Sequence, residues 1–435
     1  MATKVNKFSD MEEILEVKEA PTRTTHLMAK VGKRLGWPED TVTELIHPEQ
    51  IFIVRLPVKS WGKVLPVWAC ISLHNSARGP YKGGIRIAED VSLWETMELS
   101  RLMTLKTSVS DIEFGGGKSG IKVSMKQAYR LFGKTERDPE FEKVITLDIC
   151  AEFAHQIRRF LMDHTYIPAP DMGTGPDEMA FIYNETLDPA SVTGKPEGIQ
   201  GWLPGRKEAT GYGCSYAAMC MITDVLNLDP KKATVAVQGF GNVGSYLCVF
   251  LAKQGVKIVG VTDVGGGCYD PKGLDIDALI KYAATNRTVD GFTSKKLTNK
   301  ELFALPVDII VPAAAGGVIT AENANEIKAK AIVEAANAPV TIEGMAILDQ
   351  RDIKVFPDII TNSGGVIASM EEYSRSLSAM KITKEEVFKI ITEKISAALN
   401  WTIASNKKDK VNFVEAAIDL SMRRVYNAMR KRRHI

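Results

Sequence analysis

Gly239-Phe240-Gly241-Asn242-Val243-Gly244 constrains the fold of this chain more than any other stretch, because of what flanks it. A short apolar run at 234–237 reads as a strand before it, and 245–254 reads as a helix after it. Asp263 ends the next apolar run, 257–262, about 20 residues beyond the last glycine. Gly239 permits a tight turn, Gly241 lets the backbone approach a pyrophosphate, and Gly244 lets helix and strand pack closely. The helix start, with Phe240, Asn242 and Val243 around it, offers N–H groups to phosphate oxygens. Further apolar runs at 309–312, 332–335 and 354–356 alternate with helical segments, which signals a parallel sheet. This half predicts a Rossmann-type dinucleotide-binding domain. Asp263 is placed to bind a ribose 2′-hydroxyl and repel a 2′-phosphate, which favours NAD over NADP; Lys272 is the nearby cation that could serve a phosphate.

At 435 residues the chain is too long for one ordinary core, so two domains are expected. Proline recurs from Ile167 to Gly205, a loop-rich stretch whose end marks the boundary. The first domain then spans 1–203 and the dinucleotide domain 204–412. The amphipathic segment with Val414, Ile418, Met422, Val425 and Met429 in one stripe, within a terminal helix over 413–435, is expected to return to the first domain. Helices are expected near 11–15 and 26–31, strands at 49–57 and 64–74, and helices at 91–107 and 148–162. Leu93, Met97, Leu102 and Lys106 do not share one face, so the orientation of the 91–107 helix stays open.

A net charge of +2 gives no push toward nucleic acid or membrane. The basic run at 430–434 suits the last turns of a helix. Six scattered cysteines without a C-x-x-C pair indicate neither a disulfide framework nor a zinc site, and no metal is called for. No apolar run is long enough to span a membrane. The first residues resemble neither a signal nor a transit peptide, so the cytoplasm is the expected compartment.

Three lysines stand in glycine-rich or apolar settings: Lys82 in Tyr81-Lys82-Gly83-Gly84-Ile85-Arg86, Lys106 in Met103-Thr104-Leu105-Lys106, and Lys118 in Gly115-Gly116-Gly117-Lys118-Ser119-Gly120. Such neighbours point the ammoniums into a crevice, where they would bind an anionic substrate and lower one another's pKa. A phosphate-binding Walker loop would need glycine where Ile112 stands, so that reading fails on spacing. Asp171, in a Pro/Gly-bounded loop, is the acid/base candidate, against the plain reading of a turn aspartate.

Together, the segment from His74 to Arg86, the Gly-Gly-Gly-Lys run, Gly239 to Gly244, and Thr361-Asn362-Ser363-Gly364-Gly365-Val366 closely resemble the glutamate dehydrogenases of the Glu/Leu/Phe/Val amino-acid dehydrogenase family, from about residue 30 to the C-terminus. The resemblance implies an α/β fold with an N-terminal substrate and oligomerisation domain, a Rossmann-type domain and a cleft between them. It implies reversible oxidative deamination of L-glutamate to 2-oxoglutarate and ammonium with NAD or NADP, in a homohexamer. Lys118 matches the lysine that activates the attacking water, and Asp171 the proton-transferring aspartate. Lys106 matches the partner of the substrate α-carboxylate, with Met103 also against substrate. Lys82 and Ser369 match the side-chain carboxylate site. Asn337 and Asn362 match the nicotinamide carboxamide site, and Thr210 a segment near the cofactor.

Branched-chain and phenylalanine relatives carry an apolar residue in place of Lys82, so this lysine argues for glutamate. Two other readings stand beside this one: a dehydrogenase of another amino acid, and a catalytically silent dinucleotide-binding subunit. Glycines between Pro312 and Thr320 replace an acidic or amide residue usual in the family, and Ile112-Glu113-Phe114 replaces a proline-containing approach to the glycine run. The segment after Ser369 is too short for the helical antenna of animal members, so regulation through one is not expected.

Overall fold

The computed structural model describes residues 14–15, 22–378 and 380–432. Most of the helix expected at 11–15, and the last residues of the basic run, lie outside these. The chain forms two compact units: Met1–Pro204 with Ser369–Ile382 and Ser421–Ile435, and Gly205–Ala368 with Thr383–Leu420.

In the first unit a five-stranded sheet runs in the order β1-β2-β4-β3-β5. Its strands are β1 (Gln50–Ser60), β2 (Lys63–Asn75), β3 (Tyr81–Ala88), β4 (Gly115–Lys122) and β5 (Tyr166–Pro170). β1, β2 and β4 pair antiparallel, whereas β3 pairs parallel with both β4 and β5. β1 and β2 match the two expected strands. β3, β4 and β5 are additional, and β5 lies where a loop was expected. Its Pro168 and Pro170 are tolerated because β5 is an edge strand, with few ladder hydrogen bonds to lose. A helix, Pro176–Thr186, also forms within the proline-rich stretch.

Side chains alternate across a strand, and here the alternation separates core from chemistry. Tyr81, Ile85, Ile87 and Ile121 join the main core with Phe141, Ile145, Ile149 and Phe153 of the helix Pro139–Gln156. Lys82, Gly84 and Arg86 of β3, and Gly116, Lys118 and Gly120 of β4, take the other parity. On that side lies the helix Leu93–Val109. Its sheet-facing stripe is small and polar: Thr96 meets Cys70 (3.1 Å), Ser100 meets Ser72 (2.7 Å), and Thr104 meets His74 (2.8 Å). A Cβ on Gly116 would lie 2.2 Å from Thr104 Oγ1, and one on Gly120 2.6 Å from Thr96 Oγ1. The glycines of β4 therefore let this helix sit directly on the strand. A stripe of Thr and Ser gives no apolar periodicity, which is why its orientation could not be read from hydrophobic spacing.

The second unit carries a six-stranded sheet in the order β11-β10-β9-β6-β7-β8. The strands are β6 (Thr234–Gln238), β7 (Lys257–Thr262), β8 (Gly267–Tyr269), β9 (Ile309–Pro312), β10 (Ala331–Val333) and β11 (Lys354–Phe356). All neighbours are parallel except β7 and β8. After β6 the chain builds outward through β7 and β8, then returns to the other side of β6 with β9. The carboxyl ends of β6 and β9 thus mark a topological switch point, the usual ligand position in such sheets.

Two assignments differ from the sequence expectation. Ser369–Ile382 belongs to the first unit, although it was expected with the dinucleotide domain. The Glu372 carboxylate accepts from the backbone N–H groups of Gly194 (2.7 Å) and Lys195 (3.1 Å) and pairs with Lys195 Nζ (3.0 Å), which ties this helix to the first-unit loop. The terminal helix Phe413–Lys431 divides at Ser421, so its first residues belong to the second unit. From Ser421 onward it binds the first unit: Arg424 donates to Ser108 O (2.9 Å) and Val109 O (2.8 Å), capping the carbonyls at the end of Leu93–Val109.

Candidate active site

On the helix side of the first sheet, Lys118 lies between two register pairs, Lys82↔Gly116 and Arg86↔Gly120, and opposite Ser72 of β2. Lys82 is 1% exposed, Lys118 5% and Lys106 9%. Three lysines so deeply withdrawn from water call for anionic partners. Lys118 Nζ forms an ion pair with Asp171 Oδ2. Burial pushes the Lys118 pKa from 10.5 down to about 7, and the charges of Lys106 and Arg86 push the same way. The adjacent Asp171 carboxylate opposes that movement, and burial with two cations prevails.

Asp171 is held rather than loose. Its N–H donates to Thr174 Oγ1 (2.9 Å), Thr174 Oγ1 donates to Ile85 O (2.8 Å), and Asp171 Oδ1 accepts from Met172 N (2.7 Å). The turn lies flat on β3: a Cβ on Gly84 would meet Asp171 Cβ at 2.7 Å, and one on Gly173 would meet Ile87 O at 2.1 Å. Tyr166 OH accepts from Ser119 (3.0 Å) and donates to Gly83 O (3.2 Å), joining β3, β4 and β5 beneath the lysine.

His74 is neutral, its pKa pushed down to about 3 by burial and by Arg101. One ring nitrogen meets Thr104 (2.8 Å) and the other Ile46 O (3.1 Å), so His74 anchors the helix that carries Met103 and Lys106. Ser369 is buried in the same unit.

Arg86 was passed over in the sequence reading. It pairs with Glu95, its Nη2 reaches Met172 Sδ (3.7 Å), and its Nε is buried without an acceptor. Its place two residues after Gly84, with the parity of Lys82, was the available signal.

In the second unit the three glycines of the hexamer occupy three environments. Gly239 has φ +98 and donates to Thr262 O (2.7 Å), a turn that favours glycine. Gly241 caps the helix Asn242–Lys253, and nothing lies within 4 Å of where its Cβ would be. A Cβ on Gly244 would meet Gly239 O at 1.9 Å. The helix start is therefore open for a phosphate, and the turn behind it is closed. Phe240 and Val243 are half-buried beside it, and Asn242 Nδ2 holds Lys207 O (2.9 Å).

Asn362 Nδ2 donates to Ala335 O (3.1 Å) and Asn337 Oδ1 (3.2 Å), while Asn362 Oδ1 is buried without a donor. An orphaned amide oxygen at this point fits a carboxamide N–H₂. Thr210 is half-buried in the helix Ala209–Cys220, its Oγ1 2.6 Å from where a Cβ on Gly365 would lie. The departure between Pro312 and Thr320 has a local cause: a Cβ on Gly316 would lie 2.9 Å from Asn337 O, and Gly317 has φ +64.

Asp263 is the most heavily engaged of the dinucleotide residues. Oδ1 accepts from Gly265 N (2.8 Å) and Thr288 Oγ1 (2.9 Å), and Oδ2 accepts from Val289 N (2.7 Å).

The chain is similar to known proteins in sequence and in fold. Residues 201–433 match the Glutamate/Leucine/Phenylalanine/Valine dehydrogenase family, and residues 48–188 match its dimerisation domain. The chain is 40% identical over 403 residues to a glutamate dehydrogenase of Thermotoga maritima, covering 90% of this chain and 93% of that one. It is 36% identical to the NADP-specific glutamate dehydrogenase of Saccharolobus shibatae, covering 93% and 94% of the two chains. A solved hetero-hexameric glutamate dehydrogenase of Thermus thermophilus, in a leucine-bound form, superposes with a TM-score of 0.84 at 27% identity, over 96% of this chain and 99% of that one.

Proposed function

The chain belongs to the glutamate/leucine/phenylalanine/valine dehydrogenases, and from that premise we propose that it is a glutamate dehydrogenase. The reaction takes L-glutamate, water and an oxidised nicotinamide dinucleotide to 2-oxoglutarate, ammonium, the reduced dinucleotide and a proton, and runs in reverse. The observation that carries the choice of substrate is the buried ammonium of Lys82 on the face that bears Lys118. Its charge attracts a side-chain carboxylate and gives a leucine or phenylalanine side chain a poorly matched, polar neighbour.

Lys82 and Ser369 hold the distal carboxylate, Lys106 holds the α-carboxylate, and Met103 lines the substrate. Lys118, whose ammonium can lose its proton near pH 7, takes a proton from the water that attacks the iminium carbon. Asp171, paired with Lys118, moves a proton to and from the substrate nitrogen. The chemistry a bound dinucleotide would supply is a hydride acceptor for the substrate α-carbon. Gly239, Phe240, Gly241, Asn242, Val243 and Gly244 receive its pyrophosphate, Asn337 and Asn362 its carboxamide, and Thr210 lies close by. We read Asp263 as a ribose acceptor that selects NAD. A 36% identical relative is NADP-specific, so family membership does not decide the cofactor and the local residues must.

The dimerisation-domain match and the hetero-hexameric Thermus relative support assembly into oligomers; the homohexamer is our own reading for this chain. All six cysteines are buried free thiols, which suits a reducing cytoplasm. Among the described residues no helix is long and apolar enough to cross a membrane.

Initial rates with glutamate, leucine and phenylalanine test the proposal. Glutamate should give much the highest kcat/KM. A preference for leucine would overturn the role of Lys82, and no turnover with any of them would select a non-catalytic subunit.

A further inference from the structure

We propose that Thr288 is a cofactor-selectivity residue, which acts by fixing the Asp263 carboxylate in the orientation that accepts a ribose hydroxyl. The inference rests on the reading of Asp263 as the residue that meets the adenosine ribose.

An aspartate at the end of a strand can rotate, and its two oxygens together offer about four acceptor positions. Here three are filled by the protein. Gly265 N and Thr288 Oγ1 both donate to Oδ1, and Val289 N donates to Oδ2. Oδ2 alone keeps an acceptor position, enough for one hydroxyl. A 2′-phosphate has no proton to give there and brings negative charge against a fixed carboxylate.

The direction of the Thr288 hydrogen bond is settled by its other neighbour. Asp290 N donates to Thr288 Oγ1 (3.1 Å), so the hydroxyl proton is free to point at Asp263. Asp290 is itself held, since its carbonyl accepts from Tyr282 OH (2.9 Å) and its carboxylate pairs with Lys296 (3.1 Å). The turn packs closely on this segment: a Cβ on Gly265 would lie 2.4 Å from Thr288 Oγ1, and one on Gly266 3.1 Å from Asp290 Cγ. Thr288 Oγ1 and Val289 N both end on the Asp263 carboxylate, so Thr288 acts through Asp263 as a positioning residue. Nothing in the sequence links positions 263 and 288; the fold alone does.

The test is the ratio of kcat/KM with NAD to that with NADP, at saturating glutamate, in four forms of the full-length enzyme. Wild type should favour NAD. Thr288→Val should lower kcat/KM for NAD roughly tenfold, the weight of one hydrogen bond to a charged group, and leave NADP turnover in place, so the ratio falls. Thr288→Ser, which keeps the hydroxyl, should restore the ratio. Persisting NADP turnover in Thr288→Val also reports an intact fold. Asp263→Ser should lower the ratio at least as far. If Asp263→Ser lowers the ratio and Thr288→Val does not, or Thr288→Val lowers both activities alike, the role of Thr288 is overturned while Asp263 keeps its own. If Asp263→Ser leaves the ratio unchanged, the reading of Asp263 fails and the proposal with it.

Discussion

Lys118 and Lys195 are buried in the same unit, and they differ in what the protein gives their ammoniums. Lys195 is fully enclosed and meets Glu372 (3.0 Å), Pro189 O (2.8 Å), Val192 O (2.7 Å) and Ser376 Oγ (3.4 Å). Lys118 has Asp171 on one side and the charges of Lys106 and Arg86 on the other. Burial lowers the pKa of both and a carboxylate pulls against it at each, but only at Lys118 do two neighbouring cations, Lys106 and Arg86, add to the lowering. One lysine is a structural cross-link whose donors are spent. The other is held where losing its proton is easy, which a base requires and a cross-link does not.

The largest expected effect separates them by activity. Lys118→Ala should lower kcat for glutamate oxidation about 10³-fold, within the usual range for a general base, with NAD binding retained by fluorescence titration. Near-normal turnover would remove Lys118 from the chemistry.

Stability should reverse the order. Lys195→Met leaves the Glu372 carboxylate buried without its cation and should cost about 3–5 kcal/mol in urea unfolding. Lys118→Met should not destabilise. The unfolded lysine titrates near 10.5 and the folded one near 7, so the unfolded chain binds more protons between these values. Burial of charged Lys118 is thus a penalty, present in full below pH 7 and fading as pH rises to 10.5. Any gain from Lys118→Met should be largest below pH 7. Equal destabilisation by the two substitutions would erase the distinction.

Lys82 extends the comparison to binding. Lys82→Leu should raise KM for glutamate about 10- to 100-fold, the weight of a charge-assisted hydrogen bond, and relax the preference against leucine. An unchanged preference would remove Lys82 from the side-chain site. The smallest effect is expected at Arg86. With one of its two cationic neighbours removed, Lys118 should titrate higher, so Arg86→Gln should move the pH dependence of kcat/KM upward by a fraction of a unit. A shift downward would contradict the electrostatic role of Arg86.

The contrast also measures how much was legible beforehand. The second unit announced itself, because β6, β7, β9 and β11 are apolar runs and the glycines that join the first two follow a fixed spacing. In the first unit β1 and β2 alternate visibly, whereas β3 and β4 do not: both their faces are buried, and the one toward the helix is filled by Lys82, Lys118 and bare glycine, residues that deny a strand pattern. The helix above them presents Thr96, Ser100 and Thr104 to the sheet, so its polarity hid its orientation. Lys118 and Asp171 could be named from their glycine and proline settings and from family resemblance. Glu372 could not, since its partners Gly194 and Lys195 lie far off in the chain. That distance is also why the grouping of Ser369–Ile382 with the first unit was not legible in the sequence.

The most direct test of the central claim, that Lys118 loses its proton near pH 7 and acts as the base, is the pH dependence of kcat/KM for glutamate in the wild-type enzyme. The account predicts a rise through an apparent pKa near 7 to a plateau, and loss of that limb in the residual activity of Lys118→Ala. A profile that is flat across pH 7, or a limb that survives unchanged in Lys118→Ala, would contradict it.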